Sequence, residues 1–101
     1  MLDIEKCRLL IKSAQFDELN RVLEREYLKI FDDYLVQYIS KEELDKMMFV
    51  EKAKIIMQKK PEMQMLILRI INCYLNEENE IDLNINTLLT LYKPTLEMLN
   101  K

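Results

Sequence analysis

Any chemistry this chain performs is done without an imidazole. Its 101 residues include no His, no Gly and no Trp. The lack of His excludes Ser-His-Asp and Cys-His nucleophiles, His-ligated zinc and the histidine-dependent metal hydrolases. The lack of Gly excludes phosphate-cradling loops, which need positive φ and close backbone approach. Ser13 and Ser40 are the serines and Cys7 and Cys73 the cysteines, none with a neighbouring base beyond carboxylates and lysines. No catalytic residue is expected and the chain reads as a non-enzyme, although scattered acids facing one another across a cleft remain a way to build an acid–base pair.

Cations and aromatics offer more. Lys52, Lys54, Lys59 and Lys60 cluster beside Glu51, and Lys52, Lys59, Lys60 and Arg69 are the candidate contacts for an anionic group. The same lysines also suit the last turns of a helix, where cations meet the negative end of the dipole. Tyr27, Tyr34 and Tyr38 follow one another at spacings of seven and four on one helix face, either as the rim of the domain's own core or as a self-association surface. Met47, Met48 and Phe49 are three consecutive bulky apolar residues that cannot all face one core. Met is abundant, seven in all, and thioethers either fill core gaps or line adaptable grooves. These six aromatic and Met positions are the candidate partner-binding residues.

Acids exceed bases by 18 to 15, for a net charge of −3. Such a balance disfavours nucleic acid as a partner, because phosphate backbones repel it unless the bases are segregated. Asn76, Glu78, Glu80, Asp82 and Asn84 alternate as calcium-loop oxygens do, but Ile81 stands where that loop needs Gly and Thr87 where it needs a bidentate Glu. No metal or cofactor is expected. Both cysteines sit in apolar helical patterns, as buried free thiols do. The opening Met1-Leu2-Asp3-Ile4-Glu5 is not a secretion signal, and the longest apolar run, Met65 to Ile71, is interrupted by Arg69 and too short to cross a membrane. A soluble protein of the reducing cytoplasm is the expectation.

Helices must position these groups, since the composition is rich in helix formers and free of glycine. Apolar spacing predicts a first helix over 3–14 with Asp3 as N-cap, a break at Ser13–Glu18, and a second helix over 17–39 with Asp17 as its cap, the alternative being one unbroken helix running to Ile39. Ser40 followed by Glu43 is a capping box that starts a short helical turn bending near Met48. A helix over 50–60 follows, burying Val50, Ala53, Ile56 and Met57. Pro61 suits the first position of the next helix, whose nearly all-round apolar surface predicts a central place. After a polar loop at 76–80 the last helix is capped by Asp82, Asn84 or Asn86, with a kink or restart at Pro94. The whole reads as one all-α domain over 1–101, a compact bundle of four or five helices.

The order of these elements, with Ser13-Ala14-Gln15-Phe16-Asp17-Glu18-Leu19 at the break and Arg69-Ile70-Ile71-Asn72 in the apolar helix, resembles the HEPN helical bundles. Those are small prokaryotic all-α domains, often dimeric, found in toxin–antitoxin and phage-defence systems. Active members are RNases whose motif is an Arg, usually followed by Asn, with a His a few residues on. Arg69 matches the Arg, but Ile70 replaces the Asn and no His follows. The resemblance implies a bacterial, non-catalytic member. The expected function is therefore a self-associating protein–protein interaction module: a regulator, adaptor or chaperone. An immunity protein or antitoxin that captures a basic toxin is the alternative, and an RNA-acting protein with a degenerate site is the other.

Overall fold

Apolar residues recurring every three or four positions give helices throughout the computed structural model, which describes residues 4–12, 16–75 and 81–101. These are α1 (Ile4–Lys12), α2 (Phe16–Leu35), α3 (Lys41–Leu44), α4 (Phe49–Lys59), a 3-10 turn at Pro61–Met63 leading into α5 (Gln64–Leu75), and α6 (Ile81–Leu99). The fold is all-α, with no strand among the described residues, and the four-residue α3 raises the helix count to six. The radius of gyration is 13.5 Å, close to the roughly 13 Å of a compact chain this long.

Local chemistry explains the boundaries. The helix expected to reach residue 39 stops at Leu35, because the Tyr38 and Ile39 amides both donate to the Leu35 carbonyl, each at 2.9 Å. The Tyr34 carbonyl, freed by that turn, accepts instead from Gln37 Nε2 at 2.9 Å. Ser40 is an N-cap whose Oγ accepts from the Glu43 amide at 3.3 Å. Met48 is extended and separates α3 from α4. Asp17 lies within the first turn of α2 rather than capping it, and Asp82, Asn84 and Asn86 lie inside α6. The expected Asp3 cap, residues 13–15 of the break and the loop at 76–80 lie outside the described residues, whereas Phe16–Glu18, expected in the break, already form the first turn of α2.

Pro94 neither ends nor restarts α6. Leu91, Tyr92, Thr95 and Leu99 are buried on both sides of it, so packing holds the helix together across the missing amide. Thr95 Oγ1, one residue on, donates to the Leu91 carbonyl at 2.7 Å, a back-bond that threonine makes readily within helices.

The centre of the bundle is α2 rather than α5. Its main partners are α1, α3, α4 and α6, and α6 is the largest of them. Leu19, Leu23, Tyr27, Phe31 and Leu35 form its inner stripe, each fully buried. At about 1.5–3 kcal/mol for each large apolar side chain removed from water, this stripe is a principal source of stability. By contrast α5 packs on α4 and α6 through Ile67, Ile70 and Ile71 and leaves Met65, Leu68, Arg69 and Asn72 outside. Its all-round apolar pattern therefore did not correspond to enclosure on all sides.

One buried charge was not expected. Lys52, read as a surface cation, is 5% exposed on the inner side of α4, with its ammonium 2.8 Å from the Asp32 carboxylate of α2. Val50 and Met57 are half-buried, while Ala53 and Ile56 reach the core as expected.

Candidate functional site: a cleft where three helix ends meet

Helices α2 and α6 run side by side in the same sense, so their C-terminal ends lie at one pole, and α4 ends there too. Between them is a cleft of about 440 Å3. The end of α2 and the turn after it contribute Ile30, Asp33, Tyr34, Gln37 and Tyr38. Lys60 enters from the end of α4, and Leu96, Leu99, Asn100 and Lys101 from the end of α6.

Lys60 fastens the pole. Its Nζ donates to the Met98 carbonyl at 2.5 Å and to the Lys101 carbonyl at 3.3 Å. The same ammonium lies 5.5 Å from the centre of the Tyr34 ring. A lysine bonded to terminal helix carbonyls both satisfies orphan acceptors and opposes the dipole. Lys59, one residue earlier, is exposed and holds its ammonium 4.7 Å above the Tyr38 ring. The Tyr34 and Tyr38 rings touch, with centroids 5.7 Å apart. Burial pushes the Tyr34 phenol up, helped by its hydrogen bond with the Tyr38 side chain and by the nearby Glu62 carboxylate.

These placements revise the candidate residues individually. Tyr27 is fully buried and donates its hydroxyl to the Leu88 carbonyl. Tyr34 is buried against the cleft, and Tyr38, 51% exposed, is the one of the three tyrosines available to a second molecule. The single tyrosine face thus divides, because α2 ends before Tyr38 and α6 covers Tyr27. Phe49 is not a groove residue either: it lies between Phe31 at 5.3 Å and Tyr74 at 4.7 Å. Met47 is half-buried against the core, and Met48 projects at 72% exposure.

The four proposed anion contacts also separate. Lys52 is buried on Asp32, and Arg69 is exposed on α5 outside the cleft lining. Lys59 and Lys60 do share the pole. Asp33 of α2 and Gln37 of the turn after it, two further polar side chains of the cleft, are not singled out by the sequence. Their only signal was position: a carboxylate beside Tyr34 and an amide beside Tyr38, at a helix end that had been placed too late.

Among the described residues no group of three or more His, Cys, Asp or Glu is placed to hold a metal ion, and no helix is long and apolar enough to cross a membrane. Cys7 is buried and Cys73 half-buried, both as free thiols; burial pushes the Cys73 thiol up against the lowering effect of Arg69. No protein-family model, no curated protein and no solved structure matches the chain.

Proposed function

We propose that the protein is a non-enzymatic interaction module that receives a segment of a partner protein in the cleft at the ends of α2, α4 and α6. The observation that carries this reading is Tyr38, an exposed aromatic at the lip of a concave site. Aromatic rings with polar tips are favoured anchors in protein interfaces, and concave sites with a few convergent polar groups are where ligands seat. The lining supports the same reading, since Ile30, Leu96 and Leu99 give it an apolar floor. The absence of His from the chain supports a binding role over a catalytic one. A reducing cytoplasmic setting suits its two free thiols, and a regulator, adaptor or antitoxin role is consistent with a module of this size.

Photo-crosslinking tests it. A chain carrying a photoreactive residue at position 38 is expected to yield a discrete adduct in cells that naturally make the protein. The same residue at position 68, on the exposed face of α5, is the control. Adducts from position 68 alone would place the partner on α5 and overturn the cleft reading.

A further inference from the structure

Lys60, the inner cation of the cleft, and Lys59 beside it are engaged within the fold, and Lys101 places a second ammonium on the lining. Lys60 is held by the Met98 and Lys101 carbonyls and the Tyr34 ring, and Lys59 by the Tyr38 ring. Three helix C-termini point at this pole, each equivalent to about half a negative charge. The Asp33 side chain, on the same wall, makes no ion pair or hydrogen bond with any described residue. An anionic ligand set against the Tyr34 ring would have to draw Lys60 off the carbonyls that it caps. A cation at the Tyr38 ring displaces only the exposed Lys59, which gives up no hydrogen bond.

We infer that the cleft takes the ammonium or guanidinium group of a basic segment of the partner protein, set against Asp33 and the Tyr34–Tyr38 ring pair. The inference rests on the binding-module reading above and names the chemistry of its partner. Lys59 and Lys60 display the recognition in miniature: each ammonium already lies over one of these two rings, as cations do over an aromatic face. The volume of about 440 Å3 exceeds what an ammonium alone requires. Ile30, Leu96 and Leu99 offer the apolar wall along which the aliphatic stem of a Lys or Arg lies. The net charge of −3 steers a basic protein toward this chain over longer distances.

The test is a titration of the full chain followed by its amide NMR signals. The probes are a blocked hexapeptide of alternating leucine and lysine, its glutamate-for-lysine counterpart, and spermidine. Binding of the lysine peptide is expected, with shifts at Asp33, Tyr34, Gln37 and Tyr38. Asp33→Asn is expected to weaken it about tenfold, the worth of one hydrogen bond to a charged group, with the remaining spectrum unchanged. Lys59→Ala is expected to tighten binding about two- to fivefold, because it frees the Tyr38 ring for the incoming cation. A purely structural role for Lys59 would not produce that sign. Preference for the glutamate peptide, or weaker binding by Lys59→Ala, overturns the inference. Binding of spermidine without the peptide makes this a small-amine site and overturns the protein partner. If the lysine peptide fails while position 38 still crosslinks, the cationic assignment falls and the module stands. If both fail, the module falls with it.

Discussion

Two aromatic regions lie two helical turns apart along α2 and behave as opposites. Around Tyr27 the rings are sealed: Tyr27 meets Phe31 at 6.1 Å and Tyr92 at 5.6 Å, edge to face, and Phe49 links Phe31 to Tyr74. The hydroxyl of Tyr27 is satisfied by a backbone carbonyl of α6. Tyr74 is more extreme, its buried hydroxyl having no hydrogen-bond partner among the described residues. Around Tyr34 and Tyr38 the rings instead face lysines, a free carboxylate and an open cleft. The residue type and the helix are shared. What differs is the neighbour: the middle of α6 covers Tyr27, whereas at Tyr34 three helices are ending and leave a gap. Burial makes the first region a source of stability, and incomplete burial leaves the second open to solvent at Tyr38.

Alkali should break this contrast most completely. Burial raises the phenols of Tyr27 and Tyr74 well above the ordinary value of 10.0. Negative character on neighbouring groups adds to it, from Tyr74 and then Cys73 for Tyr27, and from Glu24 for Tyr74. The unfolded chain therefore loses these protons first. Their stabilising contribution is complete below about pH 10 and is lost progressively as pH rises from there toward the folded values. Phenolate absorbance followed together with circular dichroism should show these two tyrosines ionising in step with unfolding.

Phe31→Ala comes next, with an expected loss of about 3–5 kcal/mol in urea unfolding, the range for emptying an aromatic position in a packed core. A loss under about 1 kcal/mol would mean that the interior is not as tightly packed as its burial indicates.

The pair at the border of the two regions should respond asymmetrically. Asp32→Asn strands a buried ammonium and should cost about 2 kcal/mol, below the range for fully buried pairs because Asp32 is 34% exposed. Lys52→Met keeps the aliphatic bulk and leaves a carboxylate that water reaches, so it should cost less, about 1 kcal/mol or under. Equal losses would show that Lys52 matters for its charge and not for its stem.

Lys60→Met tests the pole with the smallest expected effect. Removing the hydrogen bonds to the end of α6 should cost about 1 kcal/mol and speed amide exchange from Leu96 to Asn100 while leaving Leu88 to Tyr92 protected. Uniform acceleration along α6 would show that the fastening is not local.

Much of the fold was legible because its signals are local. The capping box at Ser40, the proline opening the turn before α5 and the apolar spacing of α1, α2 and α4 each depend on residues within a few positions. The misreadings also have physical causes. The last turn of α2 closes on the Leu35 carbonyl through the Tyr38 and Ile39 amides while the Gln37 side chain takes the Tyr34 carbonyl, which periodicity does not register. The apolar circumference of α5 suggests a central helix, yet Met65 and Leu68 remain outside because no helix among the described residues covers that side. A buried lysine cannot be read from spacing when its partner, Asp32, is 20 residues away.

The sequence by itself determined that the protein is helical, acidic and without imidazole or glycine chemistry, since composition and short-range spacing are properties of the chain before it folds. Only the tertiary structure decided which tyrosines are core and which face a cleft, that Lys52 is an interior ion and that Lys60 caps a helix 38 residues away. Those outcomes depend on where helix ends meet, and meeting is set by packing between residues distant along the chain.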